Sequence, residues 1–428
     1  MSSTNSGAAE WRSYFTVPIA AALGYSTSVI HIYGLGPYLE PLQEAFGWSR
    51  AQATVGLTIA TFINAIFCVP IGALVDRMGP RLVGLLGIVL TSSAFALLGT
   101  ATGGNPNWYL LWGVLAFATL PVQATIWTSA VASRFELSRG LALAVTLCGA
   151  SVGATVFPLL ATWLIRSYGW RTAFLAESAI WAAITFPVLL LFFRGARDTQ
   201  RKQPSTVRVA DTVLTGVAVK EAVRSAVFYR LFIASALFTF TIIALVVHFV
   251  PILKNQGAEP MAAAGIASLI GIFSIVGRLG TGLLLDRFRA SFVGGAMFLL
   301  PILACTLLLL VGTDRAAQSV AAAVIGLTLG SEVDVIVYLT TRHFGLKHFG
   351  KLYGGLLTAL SLGTAFGPLA AAAIYDHYGR YEPFLLLTIV FMLGSSVALV
   401  SLPRPAFATH DKSETQPTFE PRATEEIA

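Results

Sequence analysis

The chain has 428 residues, 56% of them hydrophobic and only 11% charged, where a soluble domain carries about 25% charged residues. With a mean hydropathy of +0.75, it cannot be an ordinary water-soluble globular protein. Recurrent apolar segments of lipid-crossing length point instead to a polytopic helical membrane protein, since a helix satisfies its own backbone inside hydrocarbon. The net charge of +7 comes from basic loops and gives no reason to expect nucleic acid as a partner.

Twelve spans are expected, at 14–39, 51–75, 82–102, 107–132, 140–165, 170–193, 228–253, 261–285, 291–312, 316–341, 350–374 and 380–402. The first follows a polar stretch with Glu10 and Arg12; it is too long for a signal-peptide core and is expected to be retained. An even count puts both termini on one side, with the loops 76–81, 133–139, 194–227, 286–290 and 342–349. That side carries 21 of the 28 Lys and Arg. The opposite side carries six (Arg50, Arg166, Arg171, Lys254, Arg315 and Arg380), and Arg278 is left inside a span. The crowded side is therefore expected to be cytoplasmic. Arg outnumbers Lys 22 to 6, which fits a GC-rich bacterial genome and hence the inner membrane of such a cell. Cys68, Cys148 and Cys305 all fall within spans, without disulfide or metal-ligand spacing.

The chain repeats itself. Shifted by 210 residues, Gly72-Ala-Leu-Val-Asp76-Arg77 falls on Gly282-Leu-Leu-Leu-Asp286-Arg287. Gly140, Gly153, Pro158 and Leu159 fall on Gly350, Gly363, Pro368 and Leu369, and Tyr168-Gly169 on Tyr378-Gly379. Six spans per repeat keep the same orientation, which is the plan of parallel transporter halves. The expected fold is all-α, twelve transmembrane helices in two pseudo-symmetric six-helix bundles. The N-terminal bundle is 1–193, the C-terminal bundle 228–402. A charged cytoplasmic linker at 194–227, with a surface helix near 216–226, joins them, and 403–428 reads as a disordered tail.

The segment GALVDRMGPR, residues 72–81, resembles the loop signature of the major facilitator superfamily, matched by Gly72, Leu74, Asp76, Arg77, Gly79 and Arg81. The second copy has Gly282, Leu284, Asp286 and Arg287, then departs at Phe288-Arg289. Within that superfamily the likeness is to monocarboxylate and oxalate/formate transporters. It is carried by Gly47-Trp48-Ser49-Arg50, by Arg139-Gly140-Leu141-Ala142 with Gly149, Gly153 and Pro158-Leu159, and by Gly169-Trp170-Arg171. The resemblance implies alternating-access transport, with Arg278 holding a substrate anion. It also implies a cytoplasmic gate built from Gly72, Asp76, Arg77, Gly79, Arg81, Asp286 and Arg287. Ser274 stands where some members have Asp, and a lysine found in the first span of others is missing, with His31 and Tyr33 in that region.

Ionisable groups at membrane depth are costly and face a cavity or a partner. Arg278 lies eight residues before Asp286, and Asp334 eight residues before Arg342, so both sit about 12 Å in from the basic end, on spans 8 and 10. An Arg278–Asp334 pair follows as a geometric expectation. Glu332 and Asp334 point about 200° apart on one helix. Asp334 shares its face with Gly330, Ser331, Tyr338 and Thr341, whereas Glu332 sits with Ile325, Leu329, Val335, Ile336 and Leu339, which disfavour its ionised form. Asp334 is thus read as ionic partner and Glu332 as neutral acid or proton carrier. The bland readings are a structural ion pair and a packing acid bonded to a neighbouring helix. In the first half Cys68, Val122 and Ala124 take the places of Arg278, Glu332 and Asp334, so the charges belong to one half only.

His31, Tyr33, Gln123, Trp127 and Tyr338 are further candidates for lining the cavity. Glu177, in a peripheral span, reads as structural. The expected function is proton-coupled symport of a small organic monocarboxylate by a functional monomer in a lipid bilayer. Carboxylate exchange and export of an organic anion or drug are the alternatives. The proton is the coupling ion, with no cofactor or metal expected. No HExxH or paired-Cys element suggests an enzyme.

Overall fold

The computed structural model describes residues 7–135, 138–194, 216–345 and 348–405, with backbone alone at 7, 68–73, 75–77, 139, 286, 349 and 350. The apolar runs are helices. Among the described residues nine segments are long and apolar enough to cross a bilayer, and one of them, Gly140–Phe192, holds two spans. Gly169, at φ 78°, is what divides it: the left-handed backbone there ends span 5 and starts span 6. Span 2 (Arg50–Met78) has 29 helical residues, about 43 Å of helix. Spans 3, 7, 8, 9, 10, 11 and 12 are helices at Pro80–Leu97, Ala226–Asn255, Pro260–Arg287, Ala290–Val311, Arg315–Phe344, Phe349–Tyr378 and Glu382–Val400.

Spans 1 and 4, expected as continuous helices, are interrupted. Span 1 runs Thr16–Thr27, Ile30–Tyr33, a 3-10 turn at Gly36–Tyr38, then Leu39–Phe46. Near the first break, Ser26 and Ser28 donate side-chain hydrogen bonds of 2.6 and 2.7 Å to the carbonyls of Leu23 and Tyr25, competing with the helical ladder. Span 4 runs Asn105–Thr119, a 3-10 turn at Leu120–Val122, then Ala124–Ala132. Pro121 within that turn supplies no N–H, and Gln123 goes extended at ψ 160°.

Each half has its own interior. One buried cluster is drawn from Ala222 to Leu402, and two others from Val17 to Phe193, joined there by Ile243 and Val247 of span 7. Helix packing repeats with the sequence. Spans 1 and 5, 2 and 4, 3 and 6, and 3 and 4 pack together, and so do their counterparts 7 and 11, 8 and 10, 9 and 12, and 9 and 10. The halves meet through spans 5 and 8 and through spans 2 and 11, two contacts that the 210-residue shift exchanges. The expected surface helix in the linker is present as Val219–Arg224, tied to the end of span 10 by a 3.0 Å bond from Val217 N–H to the Phe344 carbonyl. Residues 195–215 and 406–428, the rest of the expected linker and nearly all of the expected tail, lie outside the described residues.

Candidate functional site between the two halves

Spans 8 and 10 touch backbone to backbone. A Cβ at Gly277 would come within 2.0 Å of the Leu327 carbonyl oxygen, and one at Gly330 within 1.9 Å of that of Ser274. Only glycine permits this approach, and it sets the side chains that follow beside one another. Arg278 donates from Nη1 to Asp334 Oδ1 at 3.3 Å. The pair engages one donor of five. Arg278 Nε is buried and has no hydrogen-bond partner among the described residues. Asp334 keeps 30% of its side-chain surface and Arg278 12%, so the acid is the more open member.

The other half faces this pair. Tyr25 and Tyr33 of span 1 and Cys148, at the joint in span 5 between Arg139–Leu147 and the helix that begins at Gly149, lie within electrostatic reach of Arg278, and Tyr353 of span 11 within reach of Arg278, Asp334 and Glu332. Cys148 is a free, half-buried thiol. Ser274, one turn before Arg278, is hydrogen-bonded across the interface to Ser151 Oγ at 2.6 Å. Glu332 points away from Asp334. It is buried against span 7, with Oε1 2.5 Å from Thr239 Oγ1.

The remaining candidates separate by position. Tyr33 joins the Arg278 group. His31, two residues earlier on span 1, is buried against Trp112 with ring centroids 6.1 Å apart, and its Nδ1 has no partner among the described residues. Trp127 is in the packed interior, its Nε1 donating to the Val122 carbonyl at 2.7 Å and its ring beside Gly24 and Gly84. Gln123 stands at the break in span 4 and reaches back to the Thr119 carbonyl at 3.4 Å. The Tyr338 ring lies under the Arg342 guanidinium at 5.6 Å.

At the basic end each half bonds within itself. Arg81 donates to the Leu190 carbonyl at 2.6 Å and Arg289 to that of Leu402 at 3.0 Å. Gly79 holds φ 86° at the turn into span 3, a conformation open to glycine. Arg287 is exposed at the end of span 8. Gly72, Asp76, Arg77 and Asp286, also expected in the gate, lie outside the residues with described side chains.

The opposite end is bolted across the halves. Asp376 of span 11 accepts from the backbone N–H groups of Arg50 and Ala51, each at 2.8 Å, so the N-terminus of span 2 is capped by the other half. Arg50 is 4% exposed; its guanidinium donates to Gln43 at 2.9 Å and to the Tyr381 hydroxyl, and lies 3.6 Å over the Tyr375 ring. Tyr381 in turn meets His248 Nδ1 at 2.9 Å, and His248 Nε2 donates to the Pro368 carbonyl at 3.0 Å. Lys254–Glu40 and Arg166–Glu259 ion pairs flank this knot. The halves are therefore bonded to each other and closed at this end.

Sequence reasoning passed over Thr239, Tyr25, Tyr353, Asp376 and Tyr381. Thr239 had a usable signal: under the 210-residue shift it falls on Val29, the same kind of asymmetry that singles out Glu332. Asp376 had none, because its partners are 325 and 326 residues away.

The family model described as Major Facilitator Superfamily matches residues 21–354 and 282–426. Monocarboxylate transporter 13 of Bos taurus is 26% identical over 358 residues, covering 82% of this chain and 79% of that protein. Agnestins efflux protein AgnL12 of Paecilomyces divaricatus is 25% identical over 375 residues, covering 84% and 80%. Among solved structures, a bacterial homolog of the human lysosomal transporter Spinster, in an inward-facing and unoccupied conformation, superposes with a TM-score of 0.65 at 18% identity. It covers 93% of this chain and 95% of that one.

Proposed function

This chain belongs to the major facilitator superfamily of membrane transporters, and on that premise we propose that it carries a small organic monocarboxylate together with a proton. The observation that carries the reading is Arg278, a largely buried cation facing the other half, whose guanidinium spends a single donor on Asp334 and leaves Nε unpartnered among the described residues. A carboxylate accepts two parallel hydrogen bonds from such a group. The name of the Bos taurus relative supports the same substrate class.

In the empty transporter Asp334 neutralises Arg278. Protonation of Asp334 or Glu332 weakens that hold and frees the guanidinium for the substrate anion. One proton and one monocarboxylate cross without net charge, so the loaded protein reorients without moving charge through the low-dielectric centre. The closed end with Arg50 and Asp376 opens in the other state, while Asp76, Arg77, Arg81, Asp286 and Arg287 seal the basic end. By the distribution of Lys and Arg the basic end is cytoplasmic and both termini lie there, in the cell membrane of a bacterium. The functional unit is a monomer. Export of an organic anion is the second reading, favoured by the relative named as an efflux protein.

Uptake of a radiolabelled carboxylate panel into proteoliposomes, with and without an inward proton gradient, tests the reading. Gradient-stimulated uptake of one acid, lost in Arg278→Ala, is expected. Uptake that survives Arg278→Ala makes the arginine structural and sinks the mechanism.

A further inference from the structure

Thr239 of span 7 sits between two acceptors. Its Oγ1 is 2.5 Å from Glu332 Oε1 and 2.9 Å from the carbonyl oxygen of Ser235, one turn earlier on its own helix. A hydroxyl has one proton to give and lone pairs to receive. Both contacts are therefore hydrogen bonds at once only when Glu332 brings the proton for its own contact. In that form the carboxylic acid donates to Thr239 Oγ1 and Thr239 donates to Ser235. When Glu332 is ionised, Thr239 swings its single proton to the carboxylate and the second bond to Ser235 is given up. That carbonyl still has its helical N–H donor, so the exchange costs little on the span 7 side.

Thr239 is 3% exposed and Glu332 5%, which leaves water little access to the contact. Span 11 closes over it: a Cβ at Gly363 would come within 2.8 Å of Thr239 Cβ and 2.7 Å of the Ala236 carbonyl oxygen. The other charged and titratable groups that act on Glu332 or feel it are Arg278 of span 8, Tyr33 of span 1 and Tyr353 of span 11, with Asp334 two residues on along span 10. Arg278 donates to Asp334, and Thr239 is the hydrogen-bond partner of Glu332.

Resting on the reading of Glu332 as a proton carrier, we propose that Thr239 is its positioning residue, a hydroxyl whose donor direction reverses each time the acid gains or loses its proton. The reversal conserves atoms and charge. One proton arrives at or leaves Glu332, and the Thr239 proton only rotates about its C–O bond. Spans 7 and 10 are joined by a bond in both states, but only the protonated state keeps the Glu332–Thr239–Ser235 chain intact.

The test is a pH titration, followed by infrared difference spectroscopy, of the full-length protein in lipid, which requires no knowledge of the substrate. The wild type is expected to show a protonated-carboxyl C=O band that Glu332→Gln removes. Thr239→Val keeps the volume and removes the hydroxyl. The ionised acid then loses its charge-assisted donor and the neutral acid only a weaker bond, so the midpoint should move up by about one pH unit. The band should also move to higher frequency. Thr239→Ser should restore both, a rescue that a packing role for the threonine would not produce. If Glu332→Gln removes its band but Thr239→Val leaves midpoint and frequency unchanged, the threonine assignment is overturned alone. If Glu332→Gln removes no band, the reading of Glu332 as proton carrier falls, and this inference with it.

Discussion

The two halves of this protein are packed alike, and the helix breaks of one fall at the positions where the other carries polar or charged side chains. Where the C-terminal half has Thr239 and Glu332 on unbroken spans 7 and 10, the N-terminal half has Val29 and Val122, and both of its spans break there. Arg278 and Asp334 have Cys68 and Ala124 as counterparts. A broken helix at membrane depth leaves backbone groups that need local partners, and Ser26 and Ser28 bond carbonyls beside the break in span 1. The C-terminal half keeps its backbone regular and spends its polar groups as ionisable side chains. The lesson is that repetition accounts for the scaffold, and departures from repetition supply the candidate site.

That contrast can be broken at several points. The largest effect is expected where the glycine contact sets up the ion pair. Gly330→Val drives a side chain into the Ser274 carbonyl, should destabilise the protein by about 1–3 kcal/mol and should abolish uptake. Gly354→Ala, where a Cβ meets open space, should leave melting temperature and uptake unchanged. Equal effects from the two would show that the span 8–span 10 approach does not position the site.

A smaller effect is expected at the closed end. Asp376→Ala removes a helix cap supplied across the halves, about 1 kcal/mol, and should shift the population about fivefold toward opening at that end. Spin-label distances between Thr102 and Ala316, both exposed there on opposite halves, would report the shift. An unchanged distance distribution would remove Asp376 from the lock.

The smallest effect is expected at the acid of the N-terminal half. Glu177 is fully buried, receives the Tyr38 hydroxyl at 2.8 Å and has no partner for its other oxygen among the described residues. No ion pair engages it among those residues, so Glu177→Gln should keep proton-driven uptake. Loss of gradient stimulation in this variant would put chemistry in both halves and end the contrast.

Much of this was legible in the sequence because it rests on periodicity. Counting residues from the basic end put Arg278 and Asp334 at one depth, and the structure has them 3.3 Å apart. The 200° between Glu332 and Asp334 sends them to spans 7 and 8, as helical geometry requires. The breaks in spans 1 and 4 were hidden because hydropathy reads apolar content and not backbone path. Trp127 and His31 show the other gap: a single chain gives the face of a helix but not the neighbour it meets, so cavity and packed interior look alike. His248 belongs to the closed end for a related reason, since Tyr381 and Pro368 reach it from distant parts of the chain.

The central claim is that protonation of acids in one half releases Arg278 for the substrate. It is tested most directly by measuring how an inward proton gradient changes carboxylate uptake in Asp334→Asn and Glu332→Gln proteoliposomes. Asp334→Asn leaves Arg278 permanently free, so uptake should persist with its gradient stimulation lost, and Glu332→Gln should blunt stimulation in the same assay. Full gradient-stimulated uptake in both variants would contradict the account and return the two acids to packing.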